Sequence, residues 1–143
     1  MTYSYDVQAK NFTRAGAVSS EFKKELKKLN LPSALIKRII IALYEGEVNV
    51  VAHSFGGTIS CTISSESVDI SIQDTGPGIP DIALAMKEGF STASDEVREM
   101  GFGAGMGMAN MKKNSDSLHI TSEEGKETRI DMSFLLTFEE GTR

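Results

Sequence analysis

The sequence holds one cysteine, three prolines and no tryptophan in 143 residues. A single cysteine, Cys61, cannot build an internal disulfide framework, and such sparse use fits a reducing compartment. No run is long and apolar enough to span a bilayer. The opening segment MTYSYDVQAK has neither the basic nor the apolar region of a signal peptide. The expectation is a soluble, cytoplasmic protein with no membrane partner. No dense basic tract is present and the formal net charge is −5, which argues against a nucleic-acid partner. Internal repeats and low-complexity segments are absent. None of the 13 glycines belongs to the Gly-Lys-Ser/Thr ending of a P-loop. The length suits a single domain over 1–143. A chain of this size buries roughly 70% of its unfolded surface and needs no metal or disulfide staple.

Periodicity supplies the layout. Tyr3, Tyr5 and Val7 alternate as in a strand over 2–9. Val18, Phe22, Leu26 and Leu29 form one stripe of a helix over 15–30, leaving KKELKK as a solvated face. Pro32 suits the first turn of a second helix that runs to about Ser54, where Gly56-Gly57 stops it. That helix is apolar on more than one face, which predicts deep packing. Segments 57–65 and 67–74 alternate as two strands of a hairpin, with Cys61 on the apolar side as a small core residue. A glycine-rich stretch over 75–104, with one or two helical turns around 81–88, is long enough to suggest function. A helix at about 105–115 and the strands LHITSE and TRIDMSFLLTF follow, the last two joined by EGKE. His119 falls alone in a strand and takes no role. The pattern predicts an α+β, two-layer fold: a mixed or mostly antiparallel sheet with helices on one face.

Three constellations carry chemistry. Glu45, Asn49 and His53 recur every fourth residue, so they share one face of the second helix. Polar groups on an otherwise apolar helix must find partners or bind a ligand. An asparagine oxygen suits Mg²⁺, and a glutamate one turn away can orient or deprotonate a nucleophile; a satisfied polar trio at a helix end is the competing account. Asp74 has the parity of Val68, Ile70 and Ile72, so a regular strand aims it at the core. It either initiates the turn before TGPG or accepts a hydrogen bond from an exocyclic amine such as that of adenine, with Gly76 and Gly78 leaving room for a flat base. The run GFGAGMGMANMKK places glycines at 101, 103, 105 and 107 ahead of a helix. Backbone amides there suit phosphate, although a flexible loop has the same composition.

Glu-x-x-x-Asn on a helix, then Asp-x-Gly-x-Gly after a strand, then Gly-x-Gly before a helix resembles the ATP-binding (Bergerat) fold shared by gyrase, Hsp90, histidine kinases and MutL. Within that superfamily the chain is most similar to the small serine/threonine protein kinases of bacterial partner-switching systems, the anti-sigma factors and related switch kinases. IALYEGEVNVVAHS resembles their Glu/Asn/His helix, DTGPGIPDIALAMKEGFSTAS their adenine loop and short lid, and EVREMGFGAGMGM the lid arginine and glycine box. The GFGAG form is nearer the switch kinases. EEGKETRI resembles the usual Gly-x-Gly-Thr, with Thr128 at the matching position. Two residues depart from the pattern: Glu127 stands where glycine is usual, and Gly46 interrupts the second helix at about 1 kcal/mol relative to alanine, with the catalytic end loosened as the expected result.

The resemblance implies a Mg-ATP-dependent kinase. Glu45 would be the catalytic residue and Asn49 the Mg²⁺ ligand. The nucleotide (ATP or ADP) would be held by Asn49, His53, Asp74, Gly76, Gly78, Ile79, Ser91, Thr92, Arg98, Gly101, Gly103, Ala104, Gly105, Met106, Gly107 and Thr128. Residues 87–104 would form the lid, with Arg98 reaching phosphate or partner. The implied substrate is a serine on an antagonist protein of the anti-anti-sigma type; a sigma factor or phosphatase is a further implied partner, and family members often pair into homodimers. The length leaves no room for the sensor and phospho-acceptor modules of a complete histidine kinase, or for the transducer domain of gyrase-type machines. The competing functions are a nucleotide-gated binding protein that regulates by contact without phosphoryl transfer, and a scaffold that has lost ATP.

Overall fold

The computed structural model describes residues 1–75, 107–122 and 127–137. The element order is β1 (Thr2–Val7), a single 3-10 turn (Phe12–Arg14), α1 (Ala17–Leu26), α2 (Ser33–His53), β2 (Gly57–Ile63), β3 (Ser67–Asp74), α3 (Gly107–Asn114), β4 (Ser117–Ser122) and β5 (Thr128–Leu135). The strands form one sheet in the order β1-β2-β3-β5-β4. Every pairing among them is antiparallel, so of the two sheet types the pattern allowed, the antiparallel one is found.

Alternation divides the sheet into two unlike faces. Ile59 and Cys61 on β2, Val68, Ile70 and Ile72 on β3, and Ile130, Met132 and Phe134 on β5 are all buried. The register places Ile72 between Ile59 and Ile130, and Ile70 between Cys61 and Met132. Burial pushes the Cys61 thiol up to about 12, as expected of a core residue. The opposite parity gives Thr58, Ser60, Asp69, Ser71, Gln73, Arg129, Asp131 and Ser133, an outward polar face. His119 is exposed on that face beside Asp131. One apolar face can receive helices, and among the described residues the helices pack on that side.

α1 presents Val18, Phe22 and Leu26 to that face, and the Phe22 ring meets the edge of Tyr3 at 5.9 Å between centroids. Fully burying a side chain of this size contributes about 1.5–3 kcal/mol. Its lysines are exposed; Lys24 pairs with Glu21, and Lys28, just past the helix, with Glu25. The helix is shorter than its stripe: Gly16, at φ 93, precedes it, and the chain after Leu26 tightens into i→i−3 bonds at Lys28 and Leu29. α2 is the central helix. It buries Leu35, Ile36, Ile39, Leu43, Val50 and Val51 in the shared core, with α1 on one flank and α3 on the other. Pro32 sits at its N-cap and Ser54 at its C-cap. Gly56, at φ 112, turns the chain into β2. The expected one or two turns around 81–88 lie outside the described residues.

Gly46 sits at a close approach that the sequence does not reveal. A Cβ built there would lie 2.2 Å from Ile72 Cδ1 and 3.5 Å from Met111 Sδ. The missing side chain lets α2 approach β3 and α3, so a packing reason for this glycine stands beside its cost in helix propensity.

Candidate functional site

The site begins on α2. Between Ala42 and Ser54, the described side chains that are not buried are Tyr44, Glu45 and Asn49. Glu45 and Asn49 are both half-buried and one turn apart. They form a partly exposed polar pair on a helix that is otherwise largely buried from Ala42 to Ser54, Tyr44 excepted. Glu45 Oε1 accepts a hydrogen bond from Asn110 Nδ2 of α3 at 3.1 Å. His53 is the last residue of the helix.

Asp74 is the last residue of β3 and only 6% exposed. Its parity carries it inward, as the alternation requires. Thr128, the first residue of β5, is also buried, and its backbone N–H donates to Asp74 Oδ1 at 3.0 Å. Burial raises the Asp74 carboxyl above the usual aspartate range; the Thr128 amide pulls it down in part, and the nearby Glu127 charge pushes it up. Glu127 itself is exposed and accepts a hydrogen bond from Gln73 Nε2 at 3.1 Å. A glutamate in that position therefore leaves Thr128 inside, against Asp74.

Two contacts bring the end of β3 to the end of α2. Thr75 N donates to the Gly56 carbonyl at 3.0 Å, and Phe55 N donates to the Thr75 carbonyl at 3.1 Å. Gly57 pairs with Asp74 across the β2–β3 ladder. A Cβ at Gly57 would meet the Gln73 carbonyl oxygen at 2.5 Å and Asp74 Cα at 3.0 Å. Only glycine lets the two strands lie this close at the buried carboxylate.

The structure thus brings Asp74 together with Thr128, and sets Glu45 and Asn49 on one face of α2. Gly107 opens α3. Gly76, Gly78, Ile79, Ser91, Thr92, Arg98, Gly101, Gly103, Ala104, Gly105 and Met106 lie outside the described residues, as does the expected lid over 87–104.

Sequence reasoning missed two polar residues beside the site. Glu47 is 1% exposed. Its Oε2 accepts from Gly16 N at 2.9 Å and Val18 N at 3.0 Å, and its Oε1 from Ser19 N at 3.0 Å and Ser19 Oγ at 2.8 Å. It caps the first turn of α1, where backbone N–H groups lack helical partners. The second residue is Asn110, on the helix that follows the glycine run. Nothing in either local pattern marked these positions, because their partners come from other elements.

The match to the family of histidine kinase-, DNA gyrase B- and HSP90-like ATPases covers residues 34–139, and the chain belongs to that family. Within it, the chain is 34% identical over 101 residues to the anti-sigma F factor of Thermoanaerobacter sp. (strain X514), covering 71% of this chain and 63% of that relative. It is 31% identical over 97 residues to the serine/threonine-protein kinase RsbT of Bacillus subtilis (strain 168), covering 65% of this chain and 67% of that one. The alignment with the first relative thus spans less than two thirds of its length. A crystal structure of RsbU and RsbW domains from Mycobacterium tuberculosis superposes with a TM-score of 0.62 over 95% of this chain and 32% of that one, at 14% identity. That likeness extends to the fold. Among the described residues, no helix is long and apolar enough to cross a membrane.

Proposed function

We propose that this protein is a Mg-ATP-dependent serine/threonine protein kinase that phosphorylates a regulatory partner of the anti-sigma-antagonist type. The observation that carries this reading is Asp74, a buried carboxylate at the end of a core strand, where among the described residues the Thr128 backbone amide donates to it. A fold has little reason to desolvate such a group unless it accepts a hydrogen bond from a ligand. The acceptor fits adenine, whose exocyclic amine can donate a hydrogen bond to a carboxylate such as Asp74. It also fits Mg²⁺ held mainly by phosphates and waters: among the described residues no three His, Cys, Asp or Glu side chains converge on a metal site, and Asn49 offers one oxygen ligand.

Bound Mg-ATP would supply the phosphoryl group and the cation that offsets its charge. Glu45 would orient the serine hydroxyl and take its proton as the new oxygen–phosphorus bond forms and ADP departs. Asn49, one turn along, would fix the metal side of the same site. Most of the rate enhancement in such sites comes from positioning and charge stabilisation. The similarity to anti-sigma F factors and to RsbT supports a protein acceptor.

The names of the anti-sigma relatives favour one second reading, regulation by nucleotide-gated contact without transfer. Incubating the protein with γ-labelled Mg-ATP and candidate antagonist proteins separates the two. Label on a partner serine, lost in Glu45→Ala, supports the kinase. A tight nucleotide-dependent complex that carries no label supports the contact regulator.

A further inference from the structure

Asn110 touches the group assigned as the catalytic base, although it lies on a different helix. Its Nδ2 donates to Glu45 Oε1 at 3.1 Å, and among the described residues this is the only hydrogen bond the carboxylate makes. The seam between α2 and α3 does not depend on that bond. Arg38 Nε donates to the Asn114 carbonyl at 3.1 Å, and Arg38 Nη2 pairs with Asp116 at 3.1 Å. Fully buried Met111 lies beside Gly46. The helices are therefore held together by other groups that follow Asn110 along the chain. What the amide adds is control of a side chain with three rotatable torsions, which on a half-exposed helix face is otherwise free to sample several rotamers.

We infer that Asn110 is a positioning residue for phosphoryl transfer: it holds Oε1 of Glu45 and so presents Oε2 to the hydroxyl that is to be phosphorylated. The inference rests on the kinase reading of Glu45. The neutral amide suits the task, since it donates a directional hydrogen bond without adding a charge that would pair with the carboxylate and block it. Position also matters. Asn110 lies three residues after Gly107, the first residue of α3, so the helix entered from the glycine run carries the group that aims the base.

The test uses the full chain with γ-labelled Mg-ATP alone, at excess enzyme, with water as the phosphoryl acceptor. Asn110→Ala removes the donor at a helix position that tolerates alanine, and Asn110→Leu preserves the bulk if the smaller side chain disturbs packing. Either variant should slow single-turnover hydrolysis on the order of 10- to 100-fold, the range expected when a reacting group is misplaced by a fraction of an ångström to an ångström. Mg-ATP affinity by calorimetry should stay within about twofold of wild type, because positioning a base is not ground-state binding. In a Glu45→Ala background, Asn110→Ala should slow hydrolysis no further. A readout independent of turnover comes from urea unfolding of the nucleotide-free protein, where the Glu45→Ala and Asn110→Ala effects should be non-additive if the bond exists in solution. If both Asn110 variants turn over at the wild-type rate while Glu45→Ala is inactive, the inference falls and the kinase reading stands. If Glu45→Ala turns over normally, the kinase reading of Glu45 falls and takes the inference with it. Additive unfolding effects would equally overturn the inference.

Discussion

Replacing Gly57 by alanine tests the closest approach in the site. The added Cβ would sit 2.5 Å from the Gln73 carbonyl oxygen, 3.0 Å from Asp74 Cα and 3.2 Å from Asp74 Cβ, whereas ordinary contact begins at 3.4 Å. The nearest two obstacles are backbone and cannot rotate away. β2 and β3 must separate by about 0.9 Å at this point, the gap between 2.5 and 3.4 Å. Overpacking of this kind costs about 1–3 kcal/mol. With a urea dependence of about 1–3 kcal/mol per molar for a small domain, the unfolding midpoint should fall by roughly 1 M. The displaced residue is Asp74, whose bond to Thr128 N is 3.0 Å, so ATP affinity by calorimetry should fall about tenfold or more as well. Thr58→Ala, next along β2 on the outward face and exposed, should change neither quantity and serves as the control. Wild-type stability together with wild-type affinity in Gly57→Ala would refute the close approach and, with it, the reason for a glycine there.

Asp74→Asn should weaken ATP binding by roughly 10- to 150-fold, the value of a hydrogen bond to a charged acceptor, as read by calorimetry; unchanged affinity would remove Asp74 from the adenine site. The same variant tests a pH effect. The folded Asp74 carboxyl is raised, so the native state holds this proton more tightly than the unfolded chain, and its contribution to stability falls as pH rises from the ordinary aspartate range through the raised value. Thermal melts across that window should show a flatter pH dependence in Asp74→Asn than in wild type. Glu47→Ala strips the partner from three backbone N–H groups and the Ser19 hydroxyl and should cost about 3 kcal/mol or more, whereas Glu45→Ala should lie within about 1 kcal/mol of wild type in urea unfolding while abolishing label transfer. Gly46→Ala should destabilise despite the gain of about 1 kcal/mol in helix propensity, because the added Cβ at 2.2 Å forces the Cδ1 of Ile72, a residue 1% exposed, to shift within the core; a rise in the urea midpoint would show that the side chain gives way at little cost.

The two glutamates on α2 show where one-dimensional reasoning stops. Glu45 stood out as a candidate because Asn49 and His53 repeat at its spacing and because the later glycine segments gave the trio a context. Glu47 has no such partners along the chain. Its four donors come from residues 16–19, about thirty positions earlier, so its burial depends on how α1 docks. The packing reason for Gly46 was hidden for the same reason. Propensity treats a helical glycine as a local cost, yet here the space above it belongs to Ile72 and Met111. Asp74 fared better, since strand parity alone decides which way it points.

Local chemistry and period determined the element types, the polar and apolar sheet faces, the polar stripe on α2 and the inward aim of Asp74. Those properties follow from repeats of 2.0 and 3.6 residues, which the order of side chains records directly. The strand order β1-β2-β3-β5-β4, the Asp74–Thr128 bond, the Gly57–Asp74 approach, the Glu47 cap and the Asn110–Glu45 contact were decided only in three dimensions. Each joins elements distant in the chain, and a contact of that kind exists only once the shared core has fixed where both elements lie.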